Sequence, residues 1–330
     1  MSYCSDNKLP KTAPANRVIE IIELLGYQKV KEPFTIENQT GSYMWLGNDN
    51  EISFVGVELS IYKYDDYTSV QTRTRMGRSY WDLKHQNKTI SLLHSIFGGS
   101  FETDEGKNRY MKFAGEAPSK LSCALYLPRW ILHNETIKSQ IYLSSCKLTG
   151  DIAKKKPTGL SWMDDMKPRV LSRNMLIPYI IACWESYLRQ SYIAILKYSE
   201  TIPERALKNC KASSTELLEV VRKENDLTYV LADSLSFQRP SIAAENLRQL
   251  NSRIDIKTWL SAPYHKRKKT LFESITELVE MRNMIVHRGE LFQDFTEEKA
   301  RVLIDDLAVS ADRIYDGFGS VFGFDPNKEY

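Results

Sequence analysis

The sequence lacks most of the features that mark specialised classes of protein. Its five cysteines, Cys4, Cys123, Cys146, Cys183 and Cys210, are scattered, and no two of them form a C-x-x-C pair. This spacing argues against a disulfide scaffold or a structural zinc site and suits a reducing compartment, so we expect a cytoplasmic protein. The formal net charge is only +3, so any attraction to nucleic acid must come from local clusters of charge.

Long hydrophobic runs are also missing. The longest, Met175–Trp184, is too short for a bilayer, which takes about 20 apolar residues. The first residues do not have the pattern of a signal peptide, so we expect none, and we expect no membrane partner. Apolar residues make up 42% of the chain, enough to bury real cores, and 330 residues favour about two domains.

Metal-binding patterns are scarce too. His85, His94 and His133 lie on predicted helices, but no two of them are four residues apart and no carboxylate completes a ligand set. We therefore interpret these histidines as structural or surface residues and expect no metal site and no cofactor.

Residues 1–150 are predicted to form a small α+β domain. The first 15 or so residues are polar and hold Pro10 and Pro14, which predicts a loose tail. The predicted strands, rich in aromatic and β-branched residues, are Tyr43–Leu46, Ile52–Tyr62 and Tyr67–Met76. Helices are predicted over Arg17–Leu25, Trp81–Phe97 and Pro118–Ser139, and a hairpin within Phe101–Phe113.

The third predicted strand places Gln71, Arg73 and Arg75 on one face, with Arg78 just beyond it. Two interpretations stay open for this face. It is either an ordinary solvated sheet surface or a surface that follows a phosphate backbone.

Residues 151–168 read as a linker, because they combine glycine, proline and three consecutive lysines. From residue 169 to 330 the hydrophobic spacing is helical, which predicts an all-α bundle. The helices are predicted over Val170–Ser199, Ser214–Ser234, Ile242–Leu250, Thr270–Glu290 and Phe295–Gly317, the last capped by Asp294.

The helix Thr270–Glu290 carries the most distinctive pattern in the chain. Its inward stripe follows a 4-3-4-3 spacing through Leu271, Ile275, Leu278, Arg282 and Ile285. An arginine in an apolar seam is costly unless it is paired or lines an open cleft. Because His287 follows in the last turn, the helix end is predicted to bind phosphate.

The run from Arg282 through Asn283 to His287 resembles the Arg-x4-6-His motif of HEPN-domain proteins. The resemblance covers about residues 166–320 and implies an all-α HEPN-like bundle. It further implies a metal-independent endoribonuclease with Arg282, His287 and Asn283 as site residues. Such enzymes act as homodimers, so both copies of His287 are expected at one interface. The expected products carry 2′,3′-cyclic phosphate and 5′-hydroxyl ends, and DNA is expected to be inert.

Glu185 directly follows the apolar run Met175–Trp184, where a carboxylate needs a cation or a hydrogen-bond donor. We predict that Glu185 pairs with Arg282 and orients it. The pattern around Glu185 also looks like the first core helix of several bacterial HEPN families. The alternative is that Glu185 points to solvent.

The densest basic cluster, His265–Lys269, leads directly into the motif helix. Two interpretations are open: a solvated helix start, or a contact surface for RNA. Under the second interpretation the RNA-binding residues are Lys266, Arg267, Lys268, Lys269 and Arg288.

By analogy with bacterial HEPN proteins, the enzyme is expected to act as a toxin or effector of antiviral defence by abortive infection. The N-terminal domain is then expected to sense a ligand or protein, or to select the substrate. Two alternatives remain. The helical half is a HEPN-like module for RNA binding or dimerisation without catalysis, or the N-terminal half carries an activity of its own.

Overall fold

In a computed structural model of the protein, the described residues are 2–31, 36–47, 52–113, 117–146, 168–198, 204–208, 212–223 and 226–326. The chain divides into two compact units. The first ends at Cys123, and the second begins at Ala124. The first is α+β and the second is helical, as the sequence predicts. The division comes earlier than the predicted boundary at residue 150, because most of the helix that begins at Lys120 belongs to the helical unit. The predicted linker lies outside the described residues, except for Pro168.

The first unit is an antiparallel sheet with two helices. Its strands are β1 (Tyr3–Pro10), β2 (Gln28–Val30), β3 (Gln39–Trp45), β4 (Val57–Lys63), β5 (Tyr67–Thr74), β6 (Ser100–Thr103) and β7 (Gly106–Lys107). The helices are α1 (Ala15–Leu24) and α2 (Tyr80–Phe97). The strand order is β2-β3-β4-β5-β1-β6-β7, and every neighbouring pair is antiparallel. The three strands and the hairpin predicted from the sequence are thereby confirmed, with shifted ends.

The loose tail predicted at the N-terminus is wrong, because these residues form strand β1. This strand pairs with β5 on one side and with β6 on the other. Its inward side chains are Ser5, Asn7 and Leu9, which are 4%, 2% and 1% exposed. The Ser5 hydroxyl lies 2.6 Å from that of Thr72, and the Asn7 amide donates to the Val70 carbonyl at 2.8 Å. Partners on the neighbouring strand therefore bond to the Ser5 hydroxyl and to the Asn7 amide nitrogen, two of the polar groups that made this stretch look like a tail.

Asp82 fixes the start of α2 against the loop before β4. The N-cap Ser79 and Asp82 form a capping box, with the Ser79 backbone N–H donating to the Asp82 carboxylate at 2.8 Å. The backbone N–H groups of Phe54, Val55 and Gly56 also donate to that carboxylate, at 3.1–3.3 Å. A carboxylate with no solvent exposure is stabilised by this ring of donors.

The outward face of β5 exposes Gln71 and Arg73. Just beyond the strand, Arg75 donates to Glu58 at 2.6 Å, and the Arg78 guanidinium lies 3.5 Å from the centre of the Tyr3 ring. Because Arg75 and Arg78 are held by side chains of this unit, the contacts favour the solvated-face interpretation over a phosphate-binding one.

The described helices of the second unit number nine. Four are long: α3 (Lys120–Cys146), α4 (Pro168–Tyr198), α10 (Leu271–Arg288) and α11 (Glu297–Phe322). Five are short: α5 (Glu204–Lys208), α6 (Ser214–Val221), α7 (Leu227–Asp233), α8 (Pro240–Leu250) and α9 (Ile256–Ser261). None of the helices in the described ranges is long and apolar enough to cross a membrane.

Two predicted helix limits need correction. The single helix predicted over Ser214–Ser234 is two helices, α6 and α7, and Lys223, two residues after the end of the first, takes a left-handed φ of 60°. The cap of α11 is Thr296, whose hydroxyl accepts from the Lys299 N–H at 3.3 Å. Asp294, the predicted cap, instead pairs with the Lys299 ammonium at 3.1 Å.

The core of the helical unit is aromatic. Its largest fully buried side chains include Trp184, Tyr192, Phe237, Tyr315 and Phe318. Helix α4 packs against α7, α8, α10 and α11, so it is the central helix that its apolar sequence predicts. This packing fixes the position of α10, which carries the Arg-x4-His motif.

Candidate active site

Helix α10 forms as its sequence predicts. A capping box begins it, because the Thr270 hydroxyl accepts from the Glu273 N–H while the Glu273 carboxylate accepts from the Thr270 N–H at 2.8 Å. Gly289 ends it in the left-handed conformation, with a φ of 69°. The four apolar residues of the predicted stripe are all buried: Leu271, Ile275, Leu278 and Ile285.

Arg282 and His287 come together at the C-terminal end of this helix. Nη1 of Arg282 lies 3.4 Å from Nε2 of His287, and it donates there when Nε2 carries a free lone pair. Arg282 is half-buried along the stripe, whereas His287 is exposed. Neighbouring helices therefore leave the imidazole open to a ligand from solvent.

Two side-chain amides fix the Arg282 guanidinium. Asn283 accepts from Nη1 at 3.1 Å. Gln238 satisfies its neighbours best with its amide oxygen toward the guanidinium, where it accepts from Nε at 3.1 Å and from Nη1 at 3.0 Å. In the opposite orientation, the Gln238 amide donates to Asn283 at 3.3 Å instead. The amides orient the cation without cancelling its charge.

Sequence reasoning missed Gln238, which lies in the connection between α7 and α8. Phe237, only 1% exposed, anchors this connection, and Asn246 donates to the Ser236 carbonyl at 2.8 Å. Glutamine in a short polar loop carries no recognisable signal, so only the tertiary fold reveals its role.

The predicted pairing of Glu185 with Arg282 does not appear among the described contacts. Glu185 lies partly buried on α4, yet among the described contacts no hydrogen bond or ion pair joins it to Arg282. The oxygens of Gln238 and Asn283 occupy the role assigned to it. Neutral oxygens can hold a half-buried guanidinium without the cost of desolvating a second charge.

Arg267, one of the five predicted RNA-binding residues, forms an ion pair within the chain. Its Nη1 donates to both oxygens of Asp306, at 2.8 and 3.0 Å, and this carboxylate is only 1% exposed. Ser274 donates to the same carboxylate at 2.6 Å. The pair ties the basic segment to α10 and α11, so Arg267 has a structural role.

The other four candidates are exposed, as Arg267 is, and they differ from it in their ion pairs. Lys269 forms an ion pair with Glu277, and Arg288 lies 3.8 Å from Glu290. In the described part of the chain, no ion pair involves Lys266 or Lys268. These two lysines are therefore the ones whose charge is most available to a polyanion.

The basic segment and the Arg282–His287 pair lie at opposite ends of α10. This helix has 18 residues, and at about 1.5 Å per residue its ends are roughly 27 Å apart. The structure therefore does not bring Lys266–Lys269 to His287 within one chain. Arg288, by contrast, directly follows His287.

The remaining histidines have structural contacts. His85 is buried in the sheet unit and stacks on Trp45, with ring centres 3.7 Å apart. Burial, followed by the charge of Lys88, lowers the pKa of His85 to about 3. His133 bonds to Asp312 at 2.9 Å, beside the ion pair of Asp312 with Arg129. Across the described ranges, no three or more His, Cys, Asp or Glu side chains are grouped to hold a metal ion.

Comparisons with known proteins add no family to this description. The chain matches no family model, no curated protein and no solved structure. The geometry of Arg282, His287 and the amides around them is therefore the feature of this chain that points to a function.

Proposed function

We propose that this protein is a metal-independent endoribonuclease of the HEPN type. The observation that carries the proposal is the Arg282–His287 pair, 3.4 Å apart at an open helix end. The guanidinium of this pair is held by neutral amides, so its charge stays available for a phosphate. An imidazole beside a guanidinium that forms no ion pair in the described contacts is a suitable set of groups for phosphodiester cleavage.

RNA supplies its own nucleophile, the 2′-hydroxyl. In the proposed reaction the base takes the proton from this hydroxyl, and the oxygen attacks the adjacent phosphorus. The bond from phosphorus to the 5′-oxygen breaks, and an acid returns a proton to that oxygen. The products are a 2′,3′-cyclic phosphate and a 5′-hydroxyl.

Each residue then has a distinct role. His287 transfers a proton, since histidine is the side chain that most readily does so near neutral pH. Arg282 holds the scissile phosphate and offsets the charge that builds on it. Asn283 and Gln238 are positioning residues that act through Arg282. Glu185 has no role in this proposal, because its assigned partner is held by the amides.

The reaction needs a base and an acid, and each chain contributes one Arg282–His287 pair. We therefore propose a homodimer in which both copies of His287 face one cleft. His287 is exposed, and its neighbour Val286 is 48% exposed, as an interface at this helix end requires.

RNA binding is proposed to involve Lys266, Lys268 and Arg288, which are exposed cations. Arg288 directly follows His287 in the chain. The two lysines lie at the other end of α10, so they would contact a part of the RNA away from the cleaved phosphate. The cellular role proposed is antiviral defence in the cytoplasm by abortive infection. The sheet unit would then sense a ligand or protein, or select the substrate.

The test is cleavage of a single-stranded RNA by the purified full chain in EDTA. We expect products ending in 2′,3′-cyclic phosphate, and we expect His287→Ala and Arg282→Ala to lose the activity by about 100-fold or more. Glu280→Gln, an exposed change on the same helix, is the matched control and should cleave normally. A DNA strand of the same sequence should stay intact.

Equal cleavage by wild type and His287→Ala would refute the proposal. RNA binding without cleavage by the wild-type protein would instead favour the module without catalysis. If the isolated sheet unit cleaves RNA, and substitutions at Arg73 and Arg78 remove this cleavage, the result would favour an activity in the N-terminal half. Thermal melts of every variant separate lost chemistry from lost folding.

A further inference from the structure

A pocket of about 500 Å³ lies along α10 from Ser274 to Met281, between this helix, the segments just before and after it and the start of α11. Its volume falls within the range of about 300–1,000 Å³ that is usual for small-molecule sites. Its walls are largely apolar, and they include Met281, Phe292, Phe295, Val302 and Leu303. Two phenyl rings and a thioether form a surface suited to a flat or branched apolar body.

One end of the pocket is polar and already organised. Asp306 is buried there, and Arg267 and Ser274 donate to it. Because this carboxylate is satisfied, it does not require a cationic ligand. Among the described contacts, Arg267 uses only Nη1 of its guanidinium for side-chain acceptors, so Nε and Nη2 are available as donors.

The rim carries two further cations, Lys269 and Lys299, together with the carboxylates of Glu277, Asp294 and Glu298. The partners of the two lysines are exposed carboxylates: the side chain of Glu277 is 52% exposed and that of Asp294 is 83% exposed. Such surface pairs contribute only about 0–1 kcal/mol, so an anionic group that enters the pocket can take over these cations at small cost.

We propose that this pocket binds a small amphipathic acid, with its apolar body against Phe292, Phe295 and Met281. Its single anionic group meets Arg267, assisted by Lys269 and Lys299. The site is distinct from the Arg282–His287 pair, and the proposal does not depend on the ribonuclease activity.

The test uses two fluorescent probes of nearly the same shape on the full chain. The anionic probe is 8-anilinonaphthalene-1-sulfonate, and the neutral one is N-phenyl-1-naphthylamine. We expect saturable one-to-one binding of the anionic probe, about tenfold or more tighter than binding of the neutral one.

Val302→Trp is the variant that fills the pocket. Val302 is 44% exposed, so the larger ring fits at the rim without entering the core. We expect this change to weaken binding of the anionic probe by about tenfold or more. Leu218→Trp on α6, at a position 53% exposed, is the control of matched size and should bind normally.

Three results would overturn the proposal: no saturable binding by the wild-type protein, equal binding by Val302→Trp and Leu218→Trp, or equal affinity for the two probes. A thermal melt of each sample verifies folding, since partly unfolded protein also binds such dyes. If Val302→Trp does not fold, Val302→Phe replaces it, and the comparison of the two probes on the wild-type protein decides independently.

Discussion

Replacing Arg267 with glutamine tests the structural role of this residue. In the folded protein its guanidinium donates twice to Asp306, a carboxylate that is 1% exposed. The substitution removes the cation and leaves the buried carboxylate with the Ser274 hydroxyl as its remaining side-chain donor in the described structure. We therefore expect a substantial loss of stability in the helical unit.

The magnitude follows from the burial of the two partners. Removal of one member of a fully buried ion pair costs about 3–5 kcal/mol. The Arg267 side chain is 35% exposed, so water already screens part of the interaction. We expect the free energy of unfolding to fall by about 2–4 kcal/mol, since hydrogen bonds to charged groups contribute about 1.5–3 kcal/mol each.

The assay is urea unfolding followed by far-UV circular dichroism. Lys268→Gln is the matched control, because it makes the same change of charge in the same segment at an exposed site. We expect it to alter stability by no more than about 0.5 kcal/mol. The double variant Arg267→Gln/Asp306→Asn should recover part of the loss, because it no longer buries an uncompensated charge. Equal stability of Arg267→Gln and Lys268→Gln would refute this reasoning.

Three further predictions concern other parts of the fold. Asp82→Asn should destabilise the sheet unit by about 2–4 kcal/mol in urea unfolding, because the amide would place N–H donors against the backbone N–H groups that bond to the carboxylate. An unchanged unfolding midpoint would contradict this prediction. His85 has a folded pKa of about 3, below an unfolded value of about 6.5, so stability should be lost as pH falls from about 6.5 toward 3, by about 2 kcal/mol at pH 5. His85→Phe should remove that part of the slope, and identical slopes for both proteins would count against it. Gly317→Ala should lower the melting temperature, because the added methyl group would lie 2.5 Å from the ring of Trp259. This clash is expected to outweigh the higher helix propensity of alanine, which is worth about 1 kcal/mol. A raised melting temperature would show that the ring moves freely.

Strand β1 shows why hydrophobic patterning describes the helical half better than the sheet. Alternate residues of β1 point inward, but two of the three buried ones are Ser5 and Asn7. Their partners, Thr72 and the Val70 carbonyl, lie more than 60 residues away. Polar groups of this kind stabilise a strand only once the partner strand is in place, so a local pattern cannot reveal them.

Helix α10 shows the opposite case. Its limits, its buried stripe and its terminal glycine follow from spacing and capping residues within the helix itself. The contact of Arg282 with His287 goes beyond this spacing, because residues five apart lie about 140° apart around a helix and the long arginine side chain closes the distance. The partner of Arg282 could not be predicted in the same way, because Gln238 reaches it from a loop 44 residues earlier in the chain.

The difference between a carboxylate partner and an amide partner changes what Arg282 can do. A paired carboxylate would offset the positive charge and compete with any incoming phosphate. The amide oxygens of Gln238 and Asn283 orient the guanidinium through their dipoles and leave its unit charge in place. A cation that is oriented in advance needs no reorganisation when negative charge develops beside it, which is the condition for electrostatic stabilisation of a transition state. The amide partners of Arg282 therefore suit phosphate binding better than a carboxylate partner such as Glu185 would.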